Sequence, residues 1–67
     1  MNKEIIIDFS NNITIIFKSV SYATAFITNL YYEGIVAEAI HCSDTVDYKF
    51  LQEYIEGLDK SIEYIGD

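Results

Sequence analysis

With 67 residues, of which 11 are acidic and 4 are lysine, the chain carries a formal net charge of −7 and no arginine. Its hydrophobic content of 51% and lack of proline exclude a disordered tail, and its one cysteine, Cys42, excludes an internal disulfide framework. The charge argues against nucleic acid and anionic membrane as direct partners, because such binding draws on the release of counterions by cationic side chains. A charged partner is therefore expected to be basic. A domain this short buries only about 60% of the surface its unfolded chain exposes. Pairing with a second copy, a homodimer, is one way to cover the surplus apolar area.

The charge is unevenly spread. Residues 1–42 set two lysines against four acids, a balance of −2, whereas residues 43–67 set two lysines against seven acids, a balance of −5. A lone free thiol fits a reducing compartment. The N-terminal MNKEIIIDF lacks the basic region, longer apolar run and cleavage site of a signal peptide, so a cytoplasmic location is expected. The apolar stretch 22–40 contains Asn29, Glu33 and Glu38, and a carboxylate at the centre of a span costs roughly 3 kcal/mol, so it is not read as a membrane segment. The sequon Asn12-Ile13-Thr14 then reads as turn sequence.

Residues 3–9 and 13–20 alternate with period two and are rich in β-branched and aromatic residues, the pattern of two strands. A three-residue loop, Ser10-Asn11-Asn12, with Asn12 left-handed, would pair Ile5 with Phe17, Ile7 with Ile15 and Phe9 with Ile13 on one face of a hairpin. The same register sets Glu4 opposite Lys18, Ile6 opposite Ile16 and Asp8 opposite Thr14 on the other face.

Ser19 or Ser21 can cap a helix over residues 21–33, in which Ala23, Phe26, Ile27, Leu30 and Tyr31 recur at helical spacing. Gly34 stands where a left-handed residue commonly ends a helix. The run 35–42 is short and apolar enough to be strand or continued helix. Continuation would carry Glu38 onto the apolar face, so a third strand is expected, with β-β-α-α as the order if it fails.

Ser43 and Asp44 can cap a terminal helix over residues 44–65, with Asp44 and Asp47 in its positive first turn. Tyr48, Leu51, Ile55, Leu58, Ile62 and Ile65 fall on one face of it, which must be buried. Glu53, Glu56, Asp59, Glu63 and Asp67 fall on or beside the opposite face, and Phe50, Tyr54 and Tyr64 with Val46 form a second stripe beside the buried one. Gly57 costs ~1 kcal/mol relative to alanine in mid-helix and can bend or break the segment. The expected architecture is a small single α+β domain, β-β-α-β-α, an antiparallel sheet with one face packed by helices.

No catalytic, cofactor or metal motif is present. His41 and Cys42 are adjacent, so a strand or helix directs them apart and denies them the contact of a Cys–His dyad. Glu38-x-x-His41 has the spacing of a metal half-site but occurs once, without a full ligand set. The alternating acidic loop of a calcium site is absent. An enzyme is therefore not expected.

The acidic residues read either as a solvated helix face, supported by the i, i+4 pairs Lys49/Glu53 and Glu56/Lys60, or as a surface that imitates phosphates and enters a basic groove. The aromatic stripe Phe50, Tyr54 and Tyr64 reads either as an extension of the core or as a contact anchor. In size, charge and lack of a ligand site the chain resembles phage-encoded inhibitors, among them anti-CRISPR proteins and other DNA mimics; the likeness is one of type and rests on no motif. It implies an acidic inhibitor or regulator that binds a larger basic or nucleic-acid-handling protein. The alternative is a self-associating structural or antitoxin-like module that pairs through the terminal helix, whose near-heptad spacing extends over about two and a half repeats.

Overall fold

The computed structural model describes residues 4–65, with side chains as far as residue 58. The side chains of Asp59, Ile62, Glu63, Tyr64 and Ile65, and all of Asp67, lie outside the described residues. Five elements follow one another: strand β1 (Ile5–Phe9), strand β2 (Thr14–Phe17), helix α1 (Val20–Tyr32), strand β3 (Ala37–Cys42) and helix α2 (Thr45–Ile65). This is the expected α+β order, with residues 35–42 supplying a strand.

The hairpin has the expected register, with Ile5 opposite Phe17, Ile6 opposite Ile16, Ile7 opposite Ile15 and Asp8 opposite Thr14. Its loop is closed by the Phe9 N–H donating to the Ile13 carbonyl at 2.8 Å and the Asn12 N–H donating to the Phe9 carbonyl at 3.0 Å. Asn12 takes φ 66°, a left-handed conformation that Asn tolerates better than most residues. Strand β2 stops at Phe17 because Ser19, extended at φ −148°, caps α1 by accepting the Tyr22 N–H on its hydroxyl. Ile13 was expected on the packed face; it precedes β2 and is 49% exposed.

The sheet order is β2-β1-β3, and both outer strands run antiparallel to β1. Strands β2 and β3 are therefore parallel to each other, with β1 between them and α1 as the crossover. Strand β1 pairs on both sides, which suits its uninterrupted Ile5-Ile6-Ile7 run. Helix α1 ends where Gly34 adopts φ 88°, with the Ile35 N–H donating to the Leu30 carbonyl and the Gly34 N–H to the Tyr31 carbonyl. These paired bonds satisfy carbonyls that the helix end would otherwise orphan.

One irregularity in the sheet is accounted for by chemistry. Asp8 pairs with Ala39 but Phe9 pairs with Ala37, so Glu38 is the extra residue of a β-bulge. An unbroken register would put Glu38 opposite Phe9, whose side chain is 2% exposed, and so drive a carboxylate into the core. The bulge turns Glu38 to solvent and sets Ala37 against the core instead.

That core is Ile5, Ile7, Phe9, Phe17, Ala23, Ile27 and Leu51, drawn from one sheet face and both helices. Burial of each large member contributes roughly 1.5–3 kcal/mol. Helix α2 runs unbroken through Gly57 and seats Leu51, Ile55 and Leu58 against this core. Tyr48, expected on the buried face, lies at its margin and is 39% exposed. Phe26 also lies at a margin, half exposed, with its ring 5.4 Å from that of Phe17.

Candidate interaction surface

The anchoring of α2 determines where its charges go. Leu51 is fully buried, and at ~100° per residue Glu53 and Glu56 lie about 140–160° around the helix from it. Both are exposed. The Asp44 carboxylate accepts the N–H groups of Val46 and Asp47 at 2.9 and 3.0 Å, and its carbonyl accepts the Tyr48 N–H at 2.9 Å, so the helix start is fixed as well. The backbone of Asp59 and Glu63 continues the same helix.

The aromatic stripe divides in the structure. Tyr54 is half-buried against the core, and its hydroxyl meets that of Thr28 on α1. The Thr28 hydroxyl donates to the Thr24 carbonyl at 2.8 Å, which leaves its oxygen to accept from Tyr54. Phe50 stacks on Tyr54 with ring centroids 6.4 Å apart, yet half of it faces solvent. Val46, one turn earlier, is 75% exposed. These two apolar side chains stand with Lys49 and Glu53 around a shallow depression on the outer surface of α2.

On its other flank α2 runs beside β3 and leaves an open groove of about 420 Å³. One wall is the strand from Ala37 to Ile40; the other is Tyr48, Gln52, Ile55 and Glu56. Glu38 and Glu56 both line this groove, so the acidic flank of the helix and the bulged carboxylate of the strand face the same space.

The sheet face turned away from the helices carries Ile6, Ile16, Ala39, Asp8, Thr14 and His41, by the alternation of the paired strands. Asp8 accepts a hydrogen bond from the Thr14 hydroxyl at 2.7 Å and lies 3.1 Å from His41 Nε2. The Thr14 hydroxyl, and then His41, hold the Asp8 carboxyl below its ordinary range. Ile16 is 58% exposed beside this network.

Comparison of the chain with protein-family models, curated proteins and solved structures finds no match in any of the three.

Cys42 turns to the packed face, where it is half-buried and its thiol approaches the Asp44 carbonyl at 3.5 Å, while His41 projects from the open face. The two side chains diverge. Among the described residues no group of three or more His, Cys, Asp or Glu could hold a metal ion, and no helix is long and apolar enough to cross a membrane.

Two arrangements were not foreseen from the sequence, the Asp8–Thr14–His41 network and the groove beside β3. The first needed the register of the third strand. The second needed the placement of α2 against an edge strand, which no local pattern encodes.

Proposed function

We propose that this protein is a binding module that docks on the basic surface of a larger protein and blocks or regulates it. The observation that carries the reading is the outer surface of α2, where exposed Glu53 stands beside exposed Val46 and Phe50 on a helix fixed by Leu51, with exposed Glu56 on the flank toward β3. The roles divide by chemistry. Carboxylates on a chain of net charge −7 steer encounter with a basic partner and raise the association rate. A half-exposed aromatic supplies the desolvated anchor on which binding energy usually concentrates. A partner that handles nucleic acid fits this reading, since its groove is basic and would attract the acids of α2.

Pairing with a second copy is the competing reading, favoured by the exposed apolar side chains Ile16, Val46 and Phe50. It must bring two chains of like charge together, which costs association at low salt.

The test is capture from host lysate at low and high salt with the native chain, Glu53→Lys and Phe50→Ala, beside sedimentation of the purified protein. A stoichiometric basic partner, lost at high salt and weakened by both substitutions, is the expected result. A monomer–dimer equilibrium abolished by Phe50→Ala, with no other protein retained, would replace this reading with the self-associating one.

A further inference from the structure

Strand β3 is an edge of the sheet, and the pairing pattern shows which of its backbone groups face outward. The Phe9 N–H donates across the hairpin to Ile13, so alternate residues Ile5, Ile7 and Phe9 turn their backbone groups toward β2. Ile6 and Asp8 turn theirs toward β3, where they meet His41 and Ala39. The N–H and C=O of Ile40 and Cys42 are then directed away from β1, to the edge that no strand of the described residues pairs with.

Such an edge is a template for another chain. Here it is flanked by α2, and the groove between them exposes the strand from Ala37 to Ile40 along one wall. A helix-flanked sheet edge can receive an extended peptide by strand addition, in which main-chain hydrogen bonds supply affinity and side-chain contacts supply selectivity. Among the described residues, the charged groups that line the groove are Glu38 and Glu56, both acidic. Strand β2 also has a free edge, but it is only four residues long.

We propose that the β3 edge takes an extended, lysine- or arginine-bearing segment of the partner protein as a fourth strand, with its basic side chains against Glu38 and Glu56. This rests on the reading that the partner is basic, and adds the mode of contact and a second surface beside that of Val46, Phe50 and Glu53. A second copy of this chain is the less suitable occupant, because edge-to-edge pairing sets one acidic rim against another.

The probe is an eight-residue peptide of alternating lysine and threonine, blocked at both ends, titrated into the full chain labelled with nitrogen-15. A second peptide of the same sequence carries N-methyl groups on alternate amides, in both phases of alternation. The expected result is binding with the largest shifts across residues 37–42, slowed exchange of the Ile40 amide, and loss of binding in the N-methylation phase that removes the edge-facing donors. Glu38→Lys weakens binding of the unmethylated peptide about two- to fivefold, the scale of one exposed ion pair. Glu53→Lys, outside the groove, weakens it less.

Equal binding of both N-methylated peptides, shifts confined to Val46, Phe50 and Glu53, or no binding would each overturn strand addition. Protection of the Ile40 amide that rises with protein concentration and without peptide would overturn it in favour of self-pairing. Loss of partner capture on Glu53→Lys tests the docking reading separately, so that strand addition can fail while docking stands. Peptide addition at β3 with a captured partner indifferent to Glu53 and Phe50 would sink the helix-surface reading instead.

Discussion

Leu51 and Phe50 are neighbours in sequence with opposite assignments, and truncating each to alanine separates the anchoring face of α2 from its binding face. Leu51 is 0% exposed in the core cluster, whereas Phe50 is 50% exposed. Leu51→Ala removes three carbons, worth ~2.5 kcal/mol at ~0.8 kcal/mol per methylene, before any cavity cost. The cavity raises the loss to about 3–4 kcal/mol, in the middle of the usual range, since the half-exposed margins of α2 allow some collapse. Typical domain stabilities of ~0.05–0.15 kcal/mol per residue give this chain ~3–10 kcal/mol, so the substitution consumes a large part of the total. Phe50→Ala costs under about 1 kcal/mol, because half of the ring is already in water and no enclosed cavity results. Urea unfolding followed by far-UV circular dichroism measures both. The midpoint falls steeply for Leu51→Ala and little for Phe50→Ala, and a fall in m for the former would mean that α2 detaches before the sheet unfolds. Equal losses for the two variants, or a loss below about 1 kcal/mol for Leu51→Ala, would refute the docking of α2 described here.

The two described glycines should respond to alanine with opposite signs. Gly34 sits at φ 88°, so Gly34→Ala costs about 1–2 kcal/mol from backbone strain alone, an added Cβ meeting nothing within 4 Å. Gly57 lies in regular helix with equal space, so Gly57→Ala raises stability by about 0.4–1 kcal/mol; a loss in thermal unfolding would show a helix distorted at that point. Asp44→Ala leaves the N–H groups of Val46 and Asp47 without their carboxylate and should cost ~1 kcal/mol, with no change in the urea-unfolding midpoint as the contrary result. The Asp8 carboxyl is lowered from 3.8, first by the Thr14 hydroxyl and then by His41. A depressed carboxylate pKa contributes stability that is present above the unfolded value and lost as pH falls through the folded one. Thr14→Val should therefore raise the Asp8 midpoint toward 3.8 in a carbon-13 NMR titration and reduce stability only above the native midpoint. An unmoved midpoint would show that the Thr14 bond does not form in solution.

The hairpin was legible because two independent patterns agreed on one register. Apolar alternation in 5–9 and 13–17 and the left-handed tolerance of Asn12 fix the same pairs, and a slip by one residue would invert both faces. The end of α1 was legible from Gly34, whose local chemistry decides a boundary without help from the rest of the fold, whereas its start stood open between Ser19 and Ser21 and falls at Ser19. Strand β3 was decided by an indirect argument, that Glu38 cannot lie on an apolar helix face. The structure answers the same difficulty within the sheet through a bulge, which period-two reasoning cannot foresee. The aromatic stripe was read as one surface because helical spacing sorts residues by angle alone. Thr28 on α1 splits it, drawing the Tyr54 hydroxyl toward the core and leaving Phe50 outside.

The bulge at Glu38 links the fold to its proposed use. A protein with a free edge strand must avoid pairing with its own copies, and an outward charge on that edge is a common means. Glu38 is placed by the need to keep a carboxylate away from Phe9, and in leaving the core it comes to the rim of the groove, facing Glu56 across it. Two copies meeting there bring acids against acids, on chains that already carry −7 each. A lysine-bearing strand meets the opposite condition, since the charge that repels a second copy attracts it. Selectivity is a difference between two affinities, and a single carboxylate that lowers one while raising the other contributes twice to it. The residue that the sheet could not bury thus becomes the one that distinguishes a partner from a copy.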